Sequence, residues 1–397
     1  MRIAILTSGI LPVPAVQGGA VENLVDFYLE YNDQHRLHDI TVYSVWHPAV
    51  RNHPARKSEV NHYIYIKVDT LWAKVKKRLY KWRHPKGYYH YTIEYFLAEV
   101  LKDVQKQSFD MIILENRPAF ALKLKALTNA RIVYHLHNEK LTTQTPEAKV
   151  ISQAADSIIC VSDYIKHCVQ SITTDDTKTI TVHNGIDLEM FTSKDKAEEH
   201  EPIKSKGNAE KSEKFTLLFS GRVTEEKGIM QLIEALLLLR NKADVRLLVV
   251  GSSFYGNTDQ ETPFMKQLRT KAEPLKSSIT FTGFVPYRQM PDYLHAADVA
   301  VIPSVWDDPF PTTVLEAQAA GLPIITTLRG GIPEEVTQSN AILLNTDEHF
   351  VSNLAAAILE LYHHPEKRKT MSQAGLQRAK LFDKETYACN FFKALEP

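Results

Sequence analysis

The chain has 397 residues, 44% hydrophobic and 24% charged, more than a single hydrophobic core usually organises, so two domains of similar size are expected. Its 47 Lys and Arg balance 47 Asp and Glu, which excludes a chain-wide nucleic-acid signature. Cys160, Cys168 and Cys389 are odd in number and form no metal-type pair; they read as free thiols of a reducing compartment. No stretch approaches the ~18 apolar residues of a membrane span. The first apolar run, broken at Pro12 and Pro14, is too short for a signal peptide, so a cytoplasmic protein is expected.

In chain order, RIAILTS is a short apolar strand followed by the loop LPVPAVQGGA, the helical run VENLVDFYLEYN and the strand DITVYSV. The segment LWAKVKKRLYKWRHPKGYYHY then places Trp72, Val75, Leu79 and Trp82 on one face of a helix among Lys74, Lys76, Lys77, Arg78, Lys81 and Arg83. Residues 72–86 suit peripheral contact with an anionic membrane, where a lipid-linked acceptor would lie; an ordinary surface helix is the plainer alternative. Ile93, Phe96, Leu97, Val100, Leu101 and Val104 share the next helical face. FDMIILEN, ARIVYHLHN, ADSIICVS and TITVHNG read as buried strands, so the order is α/β with a parallel sheet.

From Thr192 to Lys214 charge, Gly, Pro and Ser replace the apolar signal, as in an exposed interdomain connection. A second βα series follows: KFTLLFSGR, IMQLIEALLLLRN, VRLLVVGSS, SITFTGFV, MPDYLHAADVAVIPS and LPIITT, then two closing helices. The expected domains are 1–191, a linker at 192–214, 215–375, and a terminal helix at 376–397 that returns to the first domain. Two doubly wound, Rossmann-like domains in tandem bind ligands at the C-terminal ends of their strands, and a shared ligand would lie in the cleft between them.

SGRVTEEKG sets Gly221 and Arg222 at a strand's end and Lys227 just before a helix. Two cations around a flexible turn suit an anion such as a diphosphate; two solvated surface charges are the alternative. Pro311, Thr312 and Thr313 open a helix, whose free N–H groups also favour an anion. Glu316 follows Thr313 at capping-box spacing and would then merely satisfy a backbone N–H. Alternatively Asp308 and Glu316, eight residues apart, reach one polar ligand and accept hydrogen bonds from its hydroxyls, as a sugar or ribose offers.

The series GRVTEEKG, TGFV, DPFPTTVLEAQAAGLPIITT and GGIPE, with LPVPAVQGGAVENLV and VHNGID upstream, resembles family 4 of the retaining glycosyltransferases with the GT-B fold, in its spore-coat-type, cell-surface polysaccharide branch. The resemblance spans almost the whole chain, with the motifs in family order. It implies a hexosyltransferase that uses a nucleoside-diphosphate sugar, a UDP-sugar being favoured, and a glycan or lipid-linked acceptor. By the same resemblance Arg222 and Lys227, beside Gly221, hold the donor diphosphate, Glu316 the ribose, Asp308 the transferred sugar, and Phe310 to Thr313 sugar and phosphate. Phe284 and Val285 border the base, and the Gly18–Gly19 loop closes over the diphosphate. The family's first acid is usually Glu; Asp308 is shorter and suits a different or shifted sugar.

In the first half His135 and His137 lie on one side of a strand. No third metal ligand is evident from sequence; the family resemblance places His137, at the strand's exit, near the reacting sugar and acceptor, and a buried histidine bonded to a backbone carbonyl is the alternative. Glu115 and Asn116 end a neighbouring strand and suit acceptor contact, while Asn184 and Gly185 shape a turn. No Asp-x-Asp motif occurs, so no metal or other cofactor is expected: the cations and the helix start can neutralise the leaving phosphate. A nicotinamide dehydrogenase wants a G-x-G-x-x-G that TSGILPVPAVQGGA does not supply. A GT-B nucleotide-sugar epimerase and a catalytically weak scaffold remain as alternatives.

Overall fold

The computed structural model describes residues 1–69, 91–172, 177–192, 214–253 and 262–396. The basic segment at 72–86 and residues 193–213 of the charged connection lie outside them. The chain forms two compact units, Met1–His183 with Tyr387–Pro397, and Asn184–Thr386.

The first unit is built on seven parallel strands: β1 Arg2–Leu6, β2 Asp39–Val45, β3 Asn61–Ile66, β4 Met111–Glu115, β5 Arg131–Leu136, β6 Ser157–Cys160 and β7 Thr179–Thr181. Their order is β3-β2-β1-β4-β5-β6-β7. The central strands are near-continuous apolar runs because helices cover both faces: Ile3, Ala4, Ile5, Leu6, Ile112, Ile113 and Leu114 are fully enclosed. One layer packs on the helix Ala20–His35 and the terminal helix Lys384–Leu395. There Phe391 stacks on Tyr28 with ring centroids 4.1 Å apart and planes 6° from parallel. The strand order reverses between β1 and β4, so the loops leaving those strands splay apart and open a crevice at their C-terminal ends.

The second unit repeats the plan with six parallel strands: β8 Phe215–Ser220, β9 Val245–Val250, β10 Ile279–Gly283, β11 Val299–Ile302, β12 Ile324–Thr327 and β13 Ala341–Leu344, in the order β10-β9-β8-β11-β12-β13. Its core joins these strands to the helices Ile229–Leu239 and Phe350–His363. The reversal falls between β8 and β11, which pair directly. The loops holding Gly221 to Lys227 and Pro303 to Pro311 therefore leave the sheet side by side. Among the described residues no helix is long and apolar enough to cross a membrane.

Candidate active site

The two loops at the reversal of the second sheet are stitched together through their backbones. Val305 N–H donates to the Glu226 carbonyl at 3.0 Å, and Gly228, at φ +71°, sits so close to the neighbouring loop that a Cβ there would meet the Pro303 carbonyl oxygen at 1.8 Å. Only glycine accommodates both the conformation and the approach. This fastening directs Lys227 inward. Its ammonium bonds the Asp308 carboxylate and lies 5.5 Å from the centre of the Trp306 ring, with the Ser304 hydroxyl 3.5 Å from the same carboxylate oxygen. Asp308 is buried and Lys227 largely so; in that low-dielectric setting each ion neutralises the other. Arg222 pairs with Glu226 at 3.7 Å, with 40% of its side chain exposed.

Asp308 is buttressed from the GGIPE turn. Gly331 N–H donates to its carbonyl at 2.8 Å, and a Cβ on Gly330, at φ +55°, would lie 2.2 Å from that oxygen. The helix Thr312–Ala319 starts three residues after Pro309, with Pro311 as its N-cap and no side-chain cap. The capping-box alternative for Glu316 is thus not realised: Thr313 is inside the helix, and Glu316 instead accepts from the Thr312 hydroxyl at 3.3 Å. Burial pushes the Glu316 carboxyl up to about 7, against the pull of that hydroxyl. Gly221 faces the start of this helix, the Thr313 methyl being 3.9 Å from where its Cβ would sit. Phe310 is buried, and the Asn184 amide fixes its carbonyl at 2.9 Å. The sheet edge thus gathers one lysine, one uncapped helix start and two enclosed carboxyl groups.

Phe284 and Val285 follow β10 and are half-buried. Tyr287, two residues on, is a residue that sequence reasoning missed. Burial, then the charges of Glu316 and Asp187, push its hydroxyl well above the usual range, and its ring meets Phe191 edge-on with centroids 5.7 Å apart. Glu335 was missed as well: it is wholly enclosed, and burial followed by the Asp308 and Glu334 charges holds its carboxyl well above normal.

In the first unit Gly18 and Gly19 have φ +75° and +111°. A Cβ on Gly18 would meet open space, whereas one on Gly19 would meet a Glu22 carboxylate oxygen at 2.2 Å. Glu22 is buried, and that burial raises its carboxyl to about 7. At the far side of the switch point, β4 and β5 pair in a register that sets Glu115 beside His135. Glu115 is fully enclosed. One of its oxygens accepts from the Tyr28 hydroxyl at 2.9 Å and lies 3.1 Å from His135 Nδ1; the other lies 3.0 Å from His137 Nε2. Burial alone would push this carboxyl up; the two imidazoles outweigh burial and hold it well below the ordinary range. His137 is bonded to this carboxylate, where the sequence alternative had a backbone carbonyl. Asn116, at φ 58°, accepts from His137 N–H at 3.2 Å and Asn138 Nδ2 at 2.7 Å, so its side chain shapes the exit loop of β5.

Glu115 also supplies what the sequence lacked, a third potential metal ligand: one ligand atom each from Glu115, His135 and His137 lies within 4.8 Å of the others. The carboxylate oxygens are already engaged by three protein groups, the Tyr28 hydroxyl and the His135 and His137 rings, as an ionised acceptor requires. Strand pairing could have revealed it only if the β4–β5 register were known.

Two family models match the chain, Glycosyltransferase Family 4 over residues 31–190 and Glycosyl transferases group 1 over residues 200–378. With the two Rossmann-like sheets they establish that the chain belongs to the GT-B glycosyltransferases. It is 29% identical over 384 residues to the putative glycosyltransferase YtcC of Bacillus subtilis, covering 94% of this chain and 86% of that one. It is 28% identical to spore coat protein SA of the same organism, covering 96% and 94%. Among solved structures, Anabaena HepE in complex with UDP and glucose superposes with a TM-score of 0.73 at 19% identity, over 100% of this chain and 99% of that one; at that identity the likeness speaks for the fold alone.

Proposed function

We propose that the protein transfers a hexose, with retention of anomeric configuration, from a UDP-sugar to a hydroxyl of a glycan or lipid-linked acceptor in cell-surface polysaccharide or glycoconjugate synthesis. The observation that carries this is the second unit's sheet edge, where Lys227, the uncapped start of the helix at Thr312 and the enclosed Glu316 converge. The lysine and the helix N–H groups suit a diphosphate; a carboxylate withdrawn from water suits the paired hydroxyls of a ribose. Binding then exchanges partners: the diphosphate takes the Lys227 ammonium and frees Asp308 to accept from hydroxyls of the transferred sugar. Arg222, 40% exposed, swings onto the diphosphate from Glu226, while Gly221 and the backbone from Phe310 to Thr313 line the phosphates and Phe284 and Val285 border the uracil.

Glu115 is enclosed and does not touch the acceptor in this proposal; His137 and the loop around Asn116 face it. As the sugar–phosphate bond breaks, Lys227 and the helix start stabilise the charge developing on the leaving oxygen. The acceptor oxygen attacks from the face the diphosphate leaves, and its proton passes to that phosphate. No carboxylate is assigned as a covalent nucleophile. The choice of base rests on the family resemblance, and a comparison of four nucleotide sugars tests it.

A thermal-shift screen of UDP-, GDP-, ADP- and dTDP-sugars tests the proposal. The true donor at a hundred times its dissociation constant should add about 2.7 kcal/mol of stability; no shift with any of the four refutes it. NMR of the product's anomeric proton then decides retention.

A further inference from the structure

We propose that Arg378 is a positioning residue for the donor site: its guanidinium holds the GGIPE turn so that the Asp308 loop and the Glu316 helix keep the spacing one nucleoside diphosphate bridges. The inference rests on the donor reading of that sheet edge. Arg378 lies on the helix Pro365–Ala379, and every residue involved belongs to the second unit. One terminal nitrogen of its guanidinium donates to the Glu334 carbonyl at 2.7 Å, and its Nε donates to the Glu335 carbonyl at 3.1 Å. These are the last two carbonyls of the helix Ile332–Glu335, which the helix itself leaves without donors. The rigid fork of an arginine fits two adjacent acceptors; a lysine ammonium is a point charge.

Three links run from this grip to the site. Just ahead of the held helix, Gly331 N–H donates to the Asp308 carbonyl at 2.8 Å and Gly330 N–H to the Asp307 carboxylate at 3.3 Å. The Glu335 carbonyl also accepts from Gln318 Nε2 at 3.1 Å, two residues beyond Glu316 on the helix Thr312–Ala319. One oxygen thus ties that helix to the turn that carries Asp308. Finally, the guanidinium carbon lies 5.3 Å from the centre of the Phe382 ring, which meets the Phe310 ring edge-on at 5.7 Å. The Glu335 carboxyl is wholly enclosed, and neither of its oxygens has a hydrogen-bond partner among the described residues. Arg378 therefore gives these two donors to the backbone and does not bond that carboxyl, which suits a group that sets chain position.

Arg378→Lys and Arg378→Ala in the full chain make the test, the lysine variant serving alone should the alanine variant not fold. Hydrogen exchange reads the linkage without any donor. The Gly331 amide should exchange about 3- to 10-fold faster in Arg378→Lys, the scale of one weakened hydrogen bond, while amides of β8 and β9 keep their protection. UDP should bind the variant about 10-fold more weakly, the scale of one misaligned charged hydrogen bond. Uridine, which meets only the Glu316 side, should bind as to wild type. Millimolar guanidinium should restore UDP binding to Arg378→Ala, and the same concentration of methylammonium should not. Unchanged Gly331 exchange overturns the proposal. So does faster exchange with UDP affinity intact, or an equal loss of UDP and uridine, which is what a merely structural role produces. A wild type that binds no UDP instead removes the donor reading, and the Gly331 exchange still decides whether Arg378 holds the Asp308 loop.

Discussion

Glu316→Gln separates what this residue does for binding from what it costs the fold. The Glu316 carboxyl is raised from its ordinary 4.5 to about 7 by burial. At about 1.36 kcal/mol per pH decade that rise is worth roughly 3 kcal/mol. The folded state holds this proton more tightly than the unfolded chain. Its contribution is therefore full below about 4.5, declines as pH climbs toward 7, and is gone above it. Glutamine mimics the protonated side chain at every pH. Wild type and variant should accordingly melt together at pH 4.5, while at pH 8 the variant's second unit should be more stable by up to roughly 3 kcal/mol, about 6–12 °C for a unit of this size. The same variant should bind UDP less well than wild type at pH 8, because an amide accepts the ribose hydroxyls less strongly than a carboxylate. Calorimetric melting across pH 4.5 to 8 in parallel with UDP titration reads both effects. Parallel pH–stability curves for the two proteins would refute the argument that Glu316 is ionised against its burial.

Asp308→Asn should weaken the ligand-free fold by about 1–3 kcal/mol, because Lys227 loses its partner. It should also tighten UDP binding by removing a negative charge beside the diphosphate while slowing transfer; urea titration and calorimetry check both, and weaker UDP binding would count against the partner exchange. Gly228→Ala drives a Cβ against the Pro303 carbonyl and forces φ +71° on alanine, so loss of the second unit's cooperative transition is expected, and a near-wild-type melting curve would contradict it. Transfer in the presence of a chelator should match the untreated rate; abolition by chelator and recovery with Mn2+ would contradict neutralisation by Lys227 and the helix start.

The alternation of short apolar runs with amphipathic stretches made both sheets legible, since strands buried on two faces must read as continuous apolar segments. Asp308, Glu316 and the Thr312 helix start were also legible, because they lie within one continuous motif. What stayed hidden needed pairings across long stretches of chain. The Lys227–Asp308 bond joins residues 81 apart, and their spacing in sequence carries no trace of it. Glu115 and His137 each stood out at a strand end, but their bond depends on the β4–β5 register, which local pattern does not fix. The Thr313–Glu316 spacing pointed to a capping box, and Pro311 decided otherwise by starting the helix before Thr313.

The most direct measurement compares the dissociation constants of UDP and uridine for wild type and Lys227→Ala. If the lysine at the strand end grips the diphosphate, wild type favours UDP strongly, and the substitution weakens UDP by about 10- to 100-fold, the scale of a lost charged hydrogen bond, while uridine binding is unchanged. Equal UDP affinity in the two proteins would contradict that grip, and with it the assignment of this sheet edge as the donor site.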